Sequence, residues 1–378
     1  MWQLVDLSDA IDLDPPSGTN EGDLIQGRLV ARGERYGLLH VEKLAVRRGP
    51  PAAADEGLRD RLRVARERSR ITGAIREFFA QRGFIEVSTP RRVVCPGLEP
   101  HLVALPAGDD RWLATSPELH LKRLLAAGAC RVFELARAFR GDERGPWHLS
   151  EFTLLEWYRA HEPLDVLVDD VEQLLRHVTR ACGRDLSAFA GCDLRQPAER
   201  LTVREAVSLY TGIDLARLRE RDALAAALEQ LGLHTDEKDD WDDLFFRLMV
   251  ERVEPRLGRG RLSIVSDYPA SQAALARVQE DPRWPVALRF EVYAAGIELA
   301  NAFDELTDPA EQRRRHQADR AARARAGREV PRLDEAFLAA LESGHPPAVG
   351  IALGVDRLVA LLLGLPTARD TVLFPDEV

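Results

Sequence analysis

Two apolar runs, residues 132–139 and 152–158, flank a polar loop at residues 141–150 that carries glycine and proline. Apolar runs of that length about such a loop form an antiparallel hairpin, and we take the rest of the chain to be built around it. Both arms carry charge: Arg140 closes the first, while Glu151 and Glu156 stand on the second. A guanidinium at a strand end can clamp a phosphate through two parallel hydrogen bonds, and a carboxylate on the facing strand can hold an amine. A single hairpin therefore offers grips for two unlike groups.

Composition narrows what such a hairpin can serve. The 378 residues, 45% of them hydrophobic, suffice for one large domain or two with a sizeable core. A net charge of -10 argues against a general nucleic-acid binder, because phosphate contacts supply most of that affinity. Basic stretches at residues 59–70 and 313–328 are either local patches for RNA or an acidic partner, or solvated helix faces. No apolar run approaches the roughly 20 residues of a membrane span, and the N-terminus is acidic where a signal peptide would be basic. A cytoplasmic protein with no membrane partner is expected. The cysteines Cys95, Cys130, Cys182 and Cys192 form no CxxC pair and read as reduced structural thiols.

Residues 1–56 differ from the remainder. An acidic start, a turn at residues 15–18 and two runs at residues 24–30 and 38–46 about Gly33 suggest a small β-hairpin unit. Pro50, Pro51 and the alanines after them form a linker, leaving residues 57–378 as the main domain. There, apolar residues recur at helical spacing through residues 58–81 and Gly83 ends the helix. A strand ending at Pro90 follows, then a short strand at residues 112–115 running into Ser116, Pro117 and Glu118, then a helix over residues 119–127. Residues 165–257 read mostly as helices, at 166–178, 203–210, 223–231 and 242–253. The acidic run at residues 236–243 is a loop and a helix N-terminus, where acids suit the dipole.

Residues 289–293 and 297–301 are strands about a tight turn at Ala294 and Ala295. Pairing Tyr293 with Gly296 sets Glu291 directly opposite Glu298. Facing like charges destabilise a sheet unless something neutralises them, and magnesium takes one or two carboxylates plus phosphate and water. Two solvated edge-strand acids are the alternative. Last, residues 350–364 form a strand of small residues leading into an apolar helix near Asp356, with Gly354 permitting close backbone approach.

These segments resemble, in order, the three motifs of class II aminoacyl-tRNA synthetases. Residues 115–159, with FRGDE and HLSEFTLLEWY, look like the core of the lysyl enzymes. The resemblance implies an α+β fold, an antiparallel sheet flanked by helices, and a homodimer. It also implies activation of a dibasic amino acid with ATP and Mg2+. Arg140 and Arg357 would be catalytic at the phosphates; Asp142, Glu143, His148, Phe152, Glu298, Leu299 and Gly354 would complete the ATP site. For Phe152 the readings are adenine stacking or core packing. Ser116, Pro117, Glu118, Glu156, Tyr158, Asn301, Phe303, Glu305, Gly350 and Ala352 would hold the amino acid, and Glu291 with Glu298 the metal.

Within that group the chain is similar to the elongation factor P lysine ligases, which have Ser in TSPE where the synthetases have Ala, together with PASQA (residues 269–273) and GIALGVDR ending at Arg357. Residues 1–56 are too short for an anticodon-binding barrel, which makes tRNA an unexpected partner. The resemblance implies adenylation of lysine or (R)-β-lysine and transfer to a lysine ε-amine of elongation factor P. The alternatives are a reduced lysyl-tRNA synthetase and a non-catalytic paralogue. The loop departs from the family: Gly141 and Asp142 stand where Asn-Glu is usual, Leu149 replaces Asn, and Trp147 replaces Tyr.

Overall fold

The computed structural model describes residues 2–5, 10–13, 24–32, 35–45, 53–141 and 145–375, with side chains described from residue 58 onward. Strands Trp2–Val5, Ala10–Leu13, Leu24–Arg32 and Arg35–Ala45 make a four-stranded sheet in which the last two pair as an antiparallel hairpin.

A nine-stranded sheet dominates the rest. Its spatial order is Glu199–Thr202, Ser263–Pro269, Val286–Ala294, Ile297–Asp304, Ala348–Gly354, Glu151–Ala160, Arg131–Phe139 and Ile85–Glu86, with Val278–Gln279 paired beside Val286–Ala294. Only the two outermost pairings are parallel; the inner strands all run antiparallel. The hairpin read from the sequence is there, nine residues against ten, and lies second from one edge.

One face of the sheet is covered by helices Ala53–Gln81, Asp165–Ala181 and Val355–Leu363, which share a core with it. In the first of these, Ile71, Ile75, Phe78 and Phe79 recur at helical spacing and are fully buried. Phe79 stacks on Phe133 at 4.6 Å and lies 5.2 Å from Trp157, so the helix sits on the back of the hairpin. Helices Val203–Thr211, Arg221–Gln230 and Trp241–Leu248 build a second core against Ser263–Pro269. Asp240 caps the last of them in a reciprocal pairing with Asp243, which explains the acidic run there.

Both basic stretches turn inward at key points. Arg68 donates to Asp356 at 2.6 Å and to Thr153 at 2.8 Å, tying the long helix to the start of helix Val355–Leu363 and to strand Glu151–Ala160. Arg323 in helix Pro309–Arg325 is 3% exposed and donates to the carbonyls of Glu99, Leu102 and Glu329. Arg328 donates to Pro100. The second stretch thus clamps the loop at residues 99–102, a wall of the cleft.

One register differs from the sequence reading. Ala294 belongs to the strand and the turn is Ala295–Gly296, both in the left-handed region at φ 56° and 81°. Tyr293 pairs with Glu298, and Glu291 pairs with Asn301, because Leu299 is an extra residue bulged between them. Glu291 and Glu298 are therefore diagonal neighbours on one face rather than directly opposed.

Candidate active site

The opposite face of the sheet is covered at one end by helix Glu118–Ala126 and at the other by the second core, and between them it forms the floor of a cleft of about 1150 Å³. Two rows of paired residues cross it. Glu291, Asn301, Ala352, Glu156 and Glu134 form one row, and Arg289, Phe303, Gly350, Tyr158 and Val132 the next. Because side chains alternate at period two, each row projects on the same side. The central strand contributes only Gly350 and Ala352 to these rows, so the floor is hollowed there, between Glu291 on one side and Glu156 with Glu134 on the other. A Cβ on Gly350 would collide with the Tyr158 ring and with Glu305 Oε1.

The hollow is lined with carboxylates. Glu156 is 1% exposed; Ser116 Oγ donates to it at 2.7 Å and the Tyr158 hydroxyl at 3.1 Å. Burial, then the neighbouring Glu118, pushes its carboxyl up to about 8. Glu134, directly across from Glu156, is satisfied from its other side by Arg91 and Thr89. Ser116 Oγ also accepts the backbone N–H of Glu118, fixing the start of helix Glu118–Ala126. Glu305 is fully buried beside Gly350, and its Oε1 has no hydrogen-bond partner, nor has Asn301 Oδ1. A buried acceptor without a donor is costly, so both atoms suit an ammonium group from outside.

At the far end of the hairpin, Arg140 lies 5.1 Å over the Phe152 ring and its backbone N–H donates to Ser150. Phe152 is half-buried and lines the cleft rather than joining a core cluster. Arg357 donates to the carbonyls of Glu298 (2.7 Å) and Trp147 (3.2 Å) and lies 3.0 Å from His148 Nε2. Asp142 and Glu143 lie outside the described residues. The loop's first departure has a steric cause: a Cβ on Gly141 would stand 2.9 Å from Val103 Cγ1. Leu149 is 6% exposed, filling space beside the cleft.

The second hairpin supplies the other acids. Glu291 accepts from Tyr268 at 2.6 Å, from Tyr293 at 2.5 Å and from Arg289. Burial raises its pKa, Arg289 opposing and Glu298 adding. Glu254, not noticed in the sequence, is pushed up to about 7 by burial and by Glu291 and Glu298. Among the described residues no three His, Cys, Asp or Glu are grouped to hold a metal by themselves. Crowded carboxylates with raised pKa values still fit a cation shared with phosphate, which needs only one or two protein ligands.

Ser116, Glu118, Arg140, His148, Phe152, Glu156, Tyr158, Glu291, Glu298, Leu299, Asn301, Phe303, Gly350, Ala352, Gly354 and Arg357 all line the one cleft. Pro117 and Glu305 do not: Pro117 caps the helix, and Glu305 is fully enclosed beside Gly350. Sequence reasoning missed Lys122, whose Nζ is 2.6 Å from Glu118 and 2.5 Å from Glu305 with no part of the side chain exposed. Its position four residues after Glu118 on a helix was the available signal. It also missed Arg289, Tyr268 and Tyr293, which carried none. Among the described residues no helix is long and apolar enough to cross a membrane.

A family model described as tRNA synthetases class II (D, K and N) matches residues 58–378. Among curated proteins, the elongation factor P--(R)-beta-lysine ligase of Haemophilus influenzae (strain PittGG) is 39% identical over 318 residues, covering 82% of this chain and 93% of that protein. Proteins of the same name from Edwardsiella ictaluri and Yersinia enterocolitica are 40% and 41% identical, over 82% of this chain and 93% and 94% of theirs.

Proposed function

The chain belongs to the class II tRNA synthetase (D, K and N) family, and on that premise we propose that it is a protein-lysine ligase. In this reading it activates lysine or (R)-β-lysine with ATP and transfers it to a lysine ε-amine of elongation factor P. The observation that carries the proposal is the cleft in which Arg140 and Arg357 stand beside a carboxylate-lined hollow with unpartnered buried acceptors.

The chemistry needs little from the protein beyond position and charge. The substrate carboxylate attacks the α-phosphorus of ATP; the new O–P bond forms as the bond to the β-phosphate oxygen breaks, and pyrophosphate leaves. Arg140, anchored at the hairpin end, stabilises charge on the five-coordinate phosphorus. Arg357, held by two carbonyls beside Glu298, meets the outer phosphates, and Phe152 offers a face to adenine. Glu291 and Glu298 would hold a magnesium ion, which when bound neutralises charge on the departing pyrophosphate. Glu118, Glu156, Asn301 and the Glu305 oxygen beside Gly350 hold the two amino groups. The target lysine, its proton lost to a phosphate oxygen or water, then attacks the carbonyl carbon; an amide forms and AMP leaves. No covalent enzyme intermediate is required.

The test is amino-acid-dependent exchange of pyrophosphate into ATP, followed by incubation with elongation factor P or with tRNA. Exchange with a lysine isomer and a one-residue mass gain on the factor are expected. Charged tRNA with unmodified factor would identify a reduced lysyl-tRNA synthetase instead, and no exchange with either isomer would remove both readings.

A further inference from the structure

Glu118, Glu156 and Glu305 converge on one hollow, and the side chain that pairs with two of them is buried in the protein itself. Lys122 Nζ bridges Glu118 on its own helix and Glu305 at the end of a strand, at 2.6 and 2.5 Å. The other groups near this ammonium are His316 and His345; burial lowers both imidazoles, His316 to about 4 against the pull of Asp334, so neither carries charge near neutrality. Around Glu156 stand Ser116, Tyr158, Glu118 and Glu134, the last already held by Arg91.

On the reading of this cleft as an amino-acid-activating site, we propose that Lys122 is a positioning residue that fixes at two the number of positive charges the hollow accepts. Of three carboxylates, one is balanced permanently by Lys122, and the remaining pair awaits the two ammonium groups of a dibasic amino acid. Until that substrate arrives the hollow balances itself with protons: burial pushes Glu156 and Glu305 up to about 8. A dibasic ligand displaces those protons. A ligand with one ammonium group displaces fewer and leaves a carboxyl buried without a charged partner.

The test follows KM for the dibasic amino acid in pyrophosphate exchange from about pH 6.5 to 9, a range that spans the titration of raised carboxyl groups. In the unaltered protein KM falls as pH rises toward about 8. Lys122→Met removes the compensating cation, moves that limb upward by about a pH unit or more, and raises KM at neutral pH about tenfold, with recovery on the alkaline side. Lys122→Arg keeps the charge and keeps the limb in place whatever its bulk does to KM. A limb unmoved in Lys122→Met, or a loss confined to kcat or melting temperature, overturns the proposal. Should Lys122→Met not fold, calorimetric titration of the unaltered protein in buffers of different ionisation enthalpy reads the same quantity. Net proton release on binding lysine must exceed that on binding norleucine, and equal release or none overturns it. Absence of exchange with every dibasic amino acid is a separate failure: it removes the activating function, while calorimetry of lysine binding still decides the charge count.

Discussion

The two hairpins that build the cleft are similar in length and differ in regularity. In Arg131–Phe139 with Glu151–Ala160, nine consecutive pairs run without interruption, and Glu134 faces Glu156 across them. In Val286–Ala294 with Ile297–Asp304, the Leu299 bulge shifts the register, and the acids at 291 and 298 end up diagonal. Directly opposed acids were expected in the second hairpin and occur in the first. The regular hairpin tolerates them because each acid is served from a different side, Glu134 by Arg91 and Thr89, Glu156 by Ser116 and Tyr158. The bulged hairpin instead keeps Glu298 partly open to the cleft while Glu291 is enclosed by two tyrosines and Arg289. On the proposed function, one hairpin serves fixed recognition and the other a shared counter-ion.

If that division is right, damage to the first hairpin should cost more. Arg140→Ala is expected to lower exchange by about a hundredfold to a thousandfold through kcat, since one fixed donor to a developing charge is commonly worth that much. A loss no larger than that of Glu298→Gln would break the comparison. Gly350→Ala drives a methyl group into Tyr158 and Glu305. It should raise KM for the amino acid about a hundredfold, with KM for ATP nearly unchanged, a cost of the order seen for overpacking. Equal effects on both substrates would show that the hollow is not the amino-acid site. Glu298→Gln should shift the magnesium requirement about tenfold, consistent with losing one of two carboxylate ligands. Magnesium activation identical to that of the unaltered protein would remove the counter-ion role from the second hairpin.

The smallest effect is on stability of the empty protein. Glu156 is raised from 4.5 to about 8, so between those values the folded state holds a proton that the unfolded state has released. Stability contributed by this group is therefore lost as pH rises through the window, and the melting temperature should decline across it. Glu156→Gln should flatten part of that slope. An unchanged slope would mean that the protonated carboxyl is elsewhere, with Glu305, also raised to about 8, the next to substitute.

Much of this was legible in the linear chain. Apolar period and turn residues located the first hairpin, the long helix and the final strand and helix, because those elements bury one face each and the pattern follows from burial. The acids Glu156, Glu291 and Glu298 and the arginine at 140 stood out as charges inside or beside apolar runs, where an unpaired charge is costly; Glu118 and Arg357 came from the resemblance to the class II synthetases. What remained hidden depended on partners distant in sequence. Nothing near Arg68 announces Asp356, nor does anything near Arg289 announce Tyr268; those pairings arise only when the sheet is assembled.

The sequence by itself determined which residue types could grip phosphate and amine and on which strands they stand, since side-chain chemistry and period-two alternation are local properties. The tertiary structure alone decided the register of the second hairpin, because one bulged residue moves every later pair and leaves little trace in composition. It also decided the charge state of the hollow. Burial is a property of the assembled sheet, and only burial turns Glu156 and Glu305 into proton holders and makes Lys122 a fixed counter-charge.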